Sequence, residues 1–152
     1  MRSVRLGATF EAVLIHDAIM YMTSEKDLVD ALTTARVHLP LEGALIVLPD
    51  CVTETFEPGV ETGGHDASDG RGLRYISWSH PVAAGAVTEI TDYVILLRKA
   101  DGSVEVVHDR HTCGLFPRDT WHTAFVRAGF APPKISRDSW GREVFIARPA
   151  AP

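Results

Sequence analysis

The sequence predicts an α/β fold: a parallel βαβ unit followed by an antiparallel sheet. Three observations carry this. Ala12–His16 (AVLIH) is a short unbroken apolar run, the pattern of a strand covered on both faces. From Glu25 to about His38, Leu28, Ala31, Leu32, Ala35 and Leu39 recur at helical spacing, giving an apolar stripe that packs on a sheet. Ala44–Leu48 (ALIVL) is a second all-apolar run. Strand, amphipathic helix and strand within about 40 residues make a βαβ unit with parallel strands.

The remaining elements follow from local signals. Thr23-Ser24 offers an N-cap, with Asp27 as its capping-box partner. Pro40 stops the helix and Gly43 opens the next strand. Cys51–Gly72 carries Gly59, Gly63, Gly64, Gly70 and Gly72 with few large apolar residues, so it reads as a long functional loop. Leu73–Ser79, Val87–Arg98 and Ser103–Arg110 are strand-like, and Asp101-Gly102 is a hairpin signal between the last two. Partial alternation in Val104–His108 predicts an antiparallel sheet with one solvated face. Pro117 begins a helix whose apolar side is Trp121, Ala124, Phe125 and Ala128, and Gly129 ends it. Lys134–Ser139 and Arg142–Arg148 form a closing hairpin that turns at Trp140-Gly141.

Bulk composition narrows the function classes. The 152 residues are 45% hydrophobic and 23% charged, as in an ordinary globular domain. A net charge of −5 argues against nucleic acid and against an anionic membrane surface as partners. No apolar run approaches the ~20 residues of a membrane helix, and Met1–Gly7 lacks a secretory core. A cytoplasmic protein is expected. Cys51 and Cys113 are too few for a disulfide framework and are expected to be thiols.

In open α/β sheets ligands bind beyond the carboxyl ends of the strands. His16 and Asp17 lie just past the first strand and Asp50 just past the second. His65, in Thr62-Gly63-Gly64-His65-Asp66, is either a solvated loop residue or a neutral imidazole able to take a proton from an amine or hydroxyl. His108-Asp109-Arg110-His111 with Cys113 suggests metal ligands, but alternation points His108 and His111 to opposite faces, so no metal site is expected. An Asp109–Arg110 hydrogen-bonded corner, or substrate contacts from Arg110 and His111, fits better. Tyr75, Trp78 and Tyr93 are either sheet core or the lining of a pocket for an apolar or cationic amine.

Several segments, in order, resemble class I S-adenosylmethionine (SAM)-dependent methyltransferases. FEAVLIHDAIMYM is similar to the family's fourth strand, and DLVDALTTARVHLPLEGALIVLPD to the next helix, turn and fifth strand. GLFPRDTWHTAFVRAGFAP resembles the late helix, which ends Ala-Gly-Phe, and REVFIARP the last strand. The stretch from Phe56 to Arg118 resembles the antiparallel lid of small-molecule methyltransferases related to amino-sugar and glycine N-methyltransferases. Glu11 stands where Asp is usual, and the glycine-rich cofactor loop with its ribose-binding acid has no counterpart in these residues.

The resemblance implies a partial Rossmann-like methyltransferase fold with an inserted β-lid. One domain over 1–152 is expected: a βαβ core (1–50), loop and antiparallel lid (51–113), and helix plus terminal hairpin (114–152). SAM is the implied cofactor, with His16, Asp17 and Ala18 flanking its methionine end. His65 is the implied proton acceptor, and Tyr75, Trp78, Arg110 and His111 are substrate contacts for a small-molecule amine or hydroxyl. Without the three preceding strands, Ala12–Ile15 is an apolar sheet edge, which predicts a homodimer or higher oligomer by pairing across that edge. The alternative is a non-catalytic truncated module that oligomerises or complements a partner.

Overall fold

Both apolar runs form strands, β1 (Ala12–His16) and β2 (Ala44–Leu48), paired in parallel from Ala12↔Ala44 to His16↔Leu48. They are described in a computed structural model covering residues 1–151. Between them runs α1 (Glu25–Arg36), capped by Ser24, whose Oγ accepts the Asp27 N–H at 3.1 Å. Leu28, Ala31, Leu32 and Ala35 are buried, as the stripe requires. The Asp27 carboxylate also pairs with Arg2. The helix also stops two residues short of His38. The last turn tightens there through His38 N–H to Ala35 O, and the buried His38 ring bonds Thr34 O through Nδ1 and accepts the Leu6 N–H at Nε2. A 3₁₀ turn over Ala18–Tyr21, which the sequence did not announce, sends Ile19 and Met20 into the core.

The chain groups into two compact units, one from Met1–Phe56 with the residues from Gly114 onward, the other Glu57–Cys113. In the first, β8 (Glu143–Ala147) joins β2 antiparallel and β7 (Lys134–Arg137) joins β8, giving the order β1-β2-β8-β7. Helix α2 (Arg118–Arg127) starts after Pro117 and ends where Gly129 takes φ +86°. Phe145 stacks on Trp121 (centroids 5.1 Å apart) and on Phe125 (6.1 Å), and Leu28, Leu32, Leu45 and Val47 close the core around these rings. The buried Glu143 carboxylate is held by the Arg118 guanidinium, whose Nε lies 2.9 and 3.1 Å from the two oxygens. β1 is an edge strand, and Leu14 on it is 64% exposed. Beside it lies an open groove of about 430 Å³.

The second unit is one antiparallel sheet, β3 (Gly59–Asp66), β4 (Gly72–Ser79), β5 (Thr88–Arg98) and β6 (Val104–Gly114), in that order. The expected loop over Cys51–Gly72 therefore contains a strand. Two of its glycines, Gly63 and Gly64, are sites of close approach. A Cβ on Gly63 would meet the Tyr75 ring at 2.5 Å, and one on Gly64 would meet Leu73 O at 2.3 Å. Glycine in a strand marks such approaches as well as loops, which is why composition misled.

Register sorts this sheet into two faces. Trp78 pairs with Val60 and Asp92, Ile76 with Thr62 and Val94, and Arg74 with Gly64 and Leu96. On this face Ile76, Trp78, Val94, Leu96, Val104 and Val106 are all exposed. The opposite face carries Tyr75, Ser77, Ser79, Thr91 and Tyr93, of which Ser77 and Thr91 are buried. No helix among the described residues is long and apolar enough to cross a membrane.

Candidate functional site

The carboxyl ends of β1 and β2 gather a charged cluster within the first unit. β1 ends at His16, and Asp17 follows at φ +47°, ψ −51°, close to the γ-turn geometry that is rare and strained for a side-chain-bearing residue. Backbone bonds hold it there: Asp17 N–H donates to Leu48 O at 3.0 Å and Asp17 O accepts from Met20 N–H at 2.8 Å. The turn sets the Asp17 carboxylate 3.0 Å from His16 Nδ1. Asp50, just beyond β2, lies close enough for the two carboxylates to share a proton. Partial burial, then the Asp17 carboxyl, pushes Asp50 up to about 6 against the pull of Arg142 and His16. The Asp17 carboxylate beside it disfavours a second negative charge at Asp50.

Arg142 organises this cluster. It precedes β8, whose antiparallel course brings its amino end to the carboxyl ends of β1 and β2. Its guanidinium reaches Asp138 at 2.8 Å, Asp17 at 3.4 Å and Asp50 at 3.8 Å, and stacks over the Trp140 ring at 4.9 Å. Asp138 also caps the hairpin turn, accepting the Trp140 and Arg142 N–H groups at 2.9 Å. The sequence reading missed Arg142 and Asp138. Their signal was present as a turn aspartate followed by Trp-Gly-Arg.

The sheet of the second unit divides the predicted substrate residues. Tyr75 and His111 share the half-buried face, where His111 meets the Tyr93 ring at 4.8 Å. Beside them a polar chain runs from Ser79 Oγ to Thr91 Oγ1 (2.7 Å) and on to the buried Glu89 carboxylate (2.9 Å). His65 stands on this face too, exposed, paired in register with Leu73. It is four residues along the ladder from the Ser77↔Tyr93 rung, about 14 Å at ~3.4 Å per residue.

Trp78 and Arg110 sit on the other face. Arg110 holds Asp92 by two bonds of 2.8 Å, and His80 and His108 add bonds of 2.7 and 2.9 Å. These partners, Arg110 foremost, hold the Asp92 carboxyl far below the usual carboxylate range. Trp78 stacks on His80 at 5.2 Å. The expected Asp109–Arg110 corner does not form, because alternation turns Arg110 to Asp92 while Asp109 pairs with His111 at 3.1 Å. His108 and His111 do point to opposite faces, and no group of three or more potential metal ligands is found among the described residues.

No protein-family model matches the chain. Over 152 residues it is 27% identical to the Streptomyces fradiae dTDP-3-amino-3,6-dideoxy-alpha-D-glucopyranose N,N-dimethyltransferase, covering 99% of the chain and 58% of that protein. It superposes on Streptomyces venezuelae DesVI with a TM-score of 0.87 at 24% identity, covering 98% of the chain and 62% of DesVI. It also superposes on SAM-bound CalS10, an amino pentose methyltransferase from Micromonospora echinaspora, with a TM-score of 0.78 at 24% identity, again covering 98% and 62%. The chain has the class I SAM-dependent methyltransferase fold. It spans about three-fifths of the length of these proteins.

Of the structures the chain resembles, CalS10 carries SAM bound. His16, Asp17 and Ala18 offer a turn with two polar side chains and one small one, beside the open groove along β1. An adenosine ribose needs an acidic acceptor at a strand end close by, and no described residue beside the groove supplies one; the acids at the strand ends, Asp17 and Asp50, are engaged with each other and Arg142.

Proposed function

We propose that this methyltransferase-fold chain is the substrate-side portion of a SAM-dependent enzyme that methylates a small-molecule amine, with amino sugars as the substrate class. The observation that carries the reading is the Asp17–Asp50 pair at the carboxyl ends of β1 and β2, held by Arg142, with burial and the Asp17 carboxyl pushing Asp50 up to about 6. The cofactor, when bound, supplies an electrophilic methyl group. An amine attacks only through a free lone pair, so its ammonium form must first give up a proton. A carboxylate lifted to about 6 is a better acceptor at neutral pH than an ordinary one. The pair's charge also attracts the ammonium form, and Arg142 fixes both carboxylates in place.

His65 is the second candidate acceptor, on the strength of the family resemblance. The face bearing Tyr75, His111, Ser77 and Thr91 supplies aromatic and hydroxyl groups suited to a polyhydroxylated ring. A hydroxyl acceptor is the runner-up chemistry. The adenosine half of the cofactor site is expected from further residues of the same fold, so this chain alone binds SAM weakly or not at all. We place it in the cytoplasm, with Cys51 and Cys113 as thiols, and self-associating. The exposed β1 edge at Leu14 favours one alternative, a non-catalytic module that pairs with a partner.

Calorimetric titration tests the proposal. A nucleotide-linked amino sugar should bind at least tenfold tighter than its hydroxyl counterpart, and Asp50→Asn should erase that preference. Equal binding of the two sugars would overturn the amine reading. Micromolar SAM binding by this chain would overturn the half-site reading.

A further inference from the structure

We propose that Trp140 is a substrate contact, its open face stacking on the sugar ring of the amine substrate. The inference rests on the amino-sugar reading above and names the side chain that selects the ring. Trp140 is 80% exposed, more than any other large apolar side chain among the described residues. It stands in the tight turn between β7 and β8, where small polar residues and glycine are usual.

The turn does not need an indole. Asp138 closes it, one carboxylate oxygen accepting the Trp140 and Arg142 N–H groups and the other accepting from Arg142 Nε. Gly141 N–H donates to Asp138 O at 3.1 Å and Asp138 N–H to Arg142 O at 3.0 Å, with Gly141 supplying the positive φ of +83°. None of these bonds uses the Trp140 side chain, yet together they fix the backbone that carries it. An aromatic side chain on so rigid a mount is prepared for contact, because little conformational freedom is left to lose on binding.

The neighbours select what lies against it. Arg142 Cζ covers one face, 4.9 Å from the ring centroid, and the same guanidinium is 3.4 Å from Asp17 and 3.8 Å from Asp50. The indole and the acid pair are thus one guanidinium apart. A ligand whose ammonium lies at the acid pair brings the atoms next to that nitrogen, its own ring, to the indole. In a nucleotide-linked sugar the nucleobase lies two phosphates further on and overshoots. The flat side of a pyranose presents C–H bonds of slight positive polarity, and the face of an indole is negative, so the two stack. A deoxy sugar, with more C–H and less hydroxyl, gains most from this. The acid pair reads the amine and Trp140 reads the ring; an acyclic amine satisfies only the first.

Calorimetry and tryptophan emission on the full chain test this, with a nucleotide-linked amino deoxy sugar, its hydroxyl counterpart and the free nucleoside diphosphate as probes. The amino sugar should shift wild-type emission to the blue and shield it from acrylamide. That response should be missing in Trp140→Phe, where Trp78 and the buried Trp121 are the indoles that remain. Trp140→Ala should raise the amino sugar's dissociation constant about tenfold, the scale of one aromatic contact, and Trp140→Phe less than about threefold. Both variants should keep the wild-type circular dichroism spectrum. The preference for amine over hydroxyl should survive in Trp140→Ala, because it belongs to Asp50. Its loss there would mean that the indole acts only by holding Arg142, which refutes the contact. A response to the nucleoside diphosphate as large as that to the amino sugar would put the base on the indole and refute the ring assignment. Amino-sugar binding that leaves emission unmoved, or that Trp140→Ala does not weaken, would overturn this inference and leave the amino-sugar reading standing. Equal binding of the two sugars with the Trp140 response intact would remove the amine reading alone. Binding of neither sugar would remove both.

Discussion

The two units distribute apolar residues in opposite ways. In the first, the apolar residues close on themselves: the core cluster from Ile15 to Ala147 draws every member from residues 1–56 or from Gly114 onward. In the second, Ile76, Val94, Leu96, Val104 and Val106 stand exposed while Ser77, Glu89 and Thr91 are buried. The first unit is built as a stable platform with a charged cluster at one end. The second presents two faces, one half-buried with hydroxyl and aromatic groups, the other exposed and largely apolar. A substitution should therefore act on stability in one unit and on recognition in the other.

The largest expected break lies in the aromatic stack. Phe145→Ala removes the ring between Trp121 and Phe125 and should cost about 3–5 kcal/mol in urea denaturation. Val106→Ala, exposed on the second unit, should change monomer stability by less than ~0.5 kcal/mol. Comparable losses from the two would erase the contrast.

Gly63→Val sharpens it from the other side. The new side chain would collide with the Tyr75 ring, so about 1–3 kcal/mol should be lost in a unit that otherwise tolerates change. Thermal unfolding checks this, and an unchanged midpoint would show that Tyr75 swings away freely.

A smaller effect depends on pH. Asp50 titrates near 6 in the folded chain and near 3.9 when unfolded. Its raised value means that the fold prefers the protonated form. The associated stability is present below about pH 4 and is lost as pH rises through 6. Asp50→Asn keeps a neutral group throughout, so its stability relative to wild type should improve by about 1 kcal/mol from pH 4 to pH 7, after solvent screening of a half-exposed side chain. Denaturation at the two pH values measures it, and a difference that does not change with pH would rule out the raised Asp50 value. The smallest effect concerns Asp17. Asp17→Gly should gain up to ~1 kcal/mol by relieving the positive φ while weakening amino-sugar binding in the same calorimetric assay. Gain of both stability and binding would make the strained turn a bystander.

The sequence by itself determined the local elements whose patterns are short-range. β1 and β2 lie where the apolar runs put them, α1 begins at the Ser24 cap, and Pro117 and Gly129 bracket α2, because periodicity, caps and breakers act within a few residues. The order of the family-like segments also made the methyltransferase fold legible. Only the tertiary structure decided the rest. β3 hid in a glycine-rich stretch because Gly63 and Gly64 answer to Tyr75 and Leu73 on the neighbouring strand, contacts that composition does not encode. His65, Tyr75 and His111 fell on one sheet face and Trp78 and Arg110 on the other because register, not residue type, assigns faces. Arg142 joined Asp17 and Asp50 across more than ninety residues of chain because β8 runs antiparallel to β2 and carries its amino end to their strand ends.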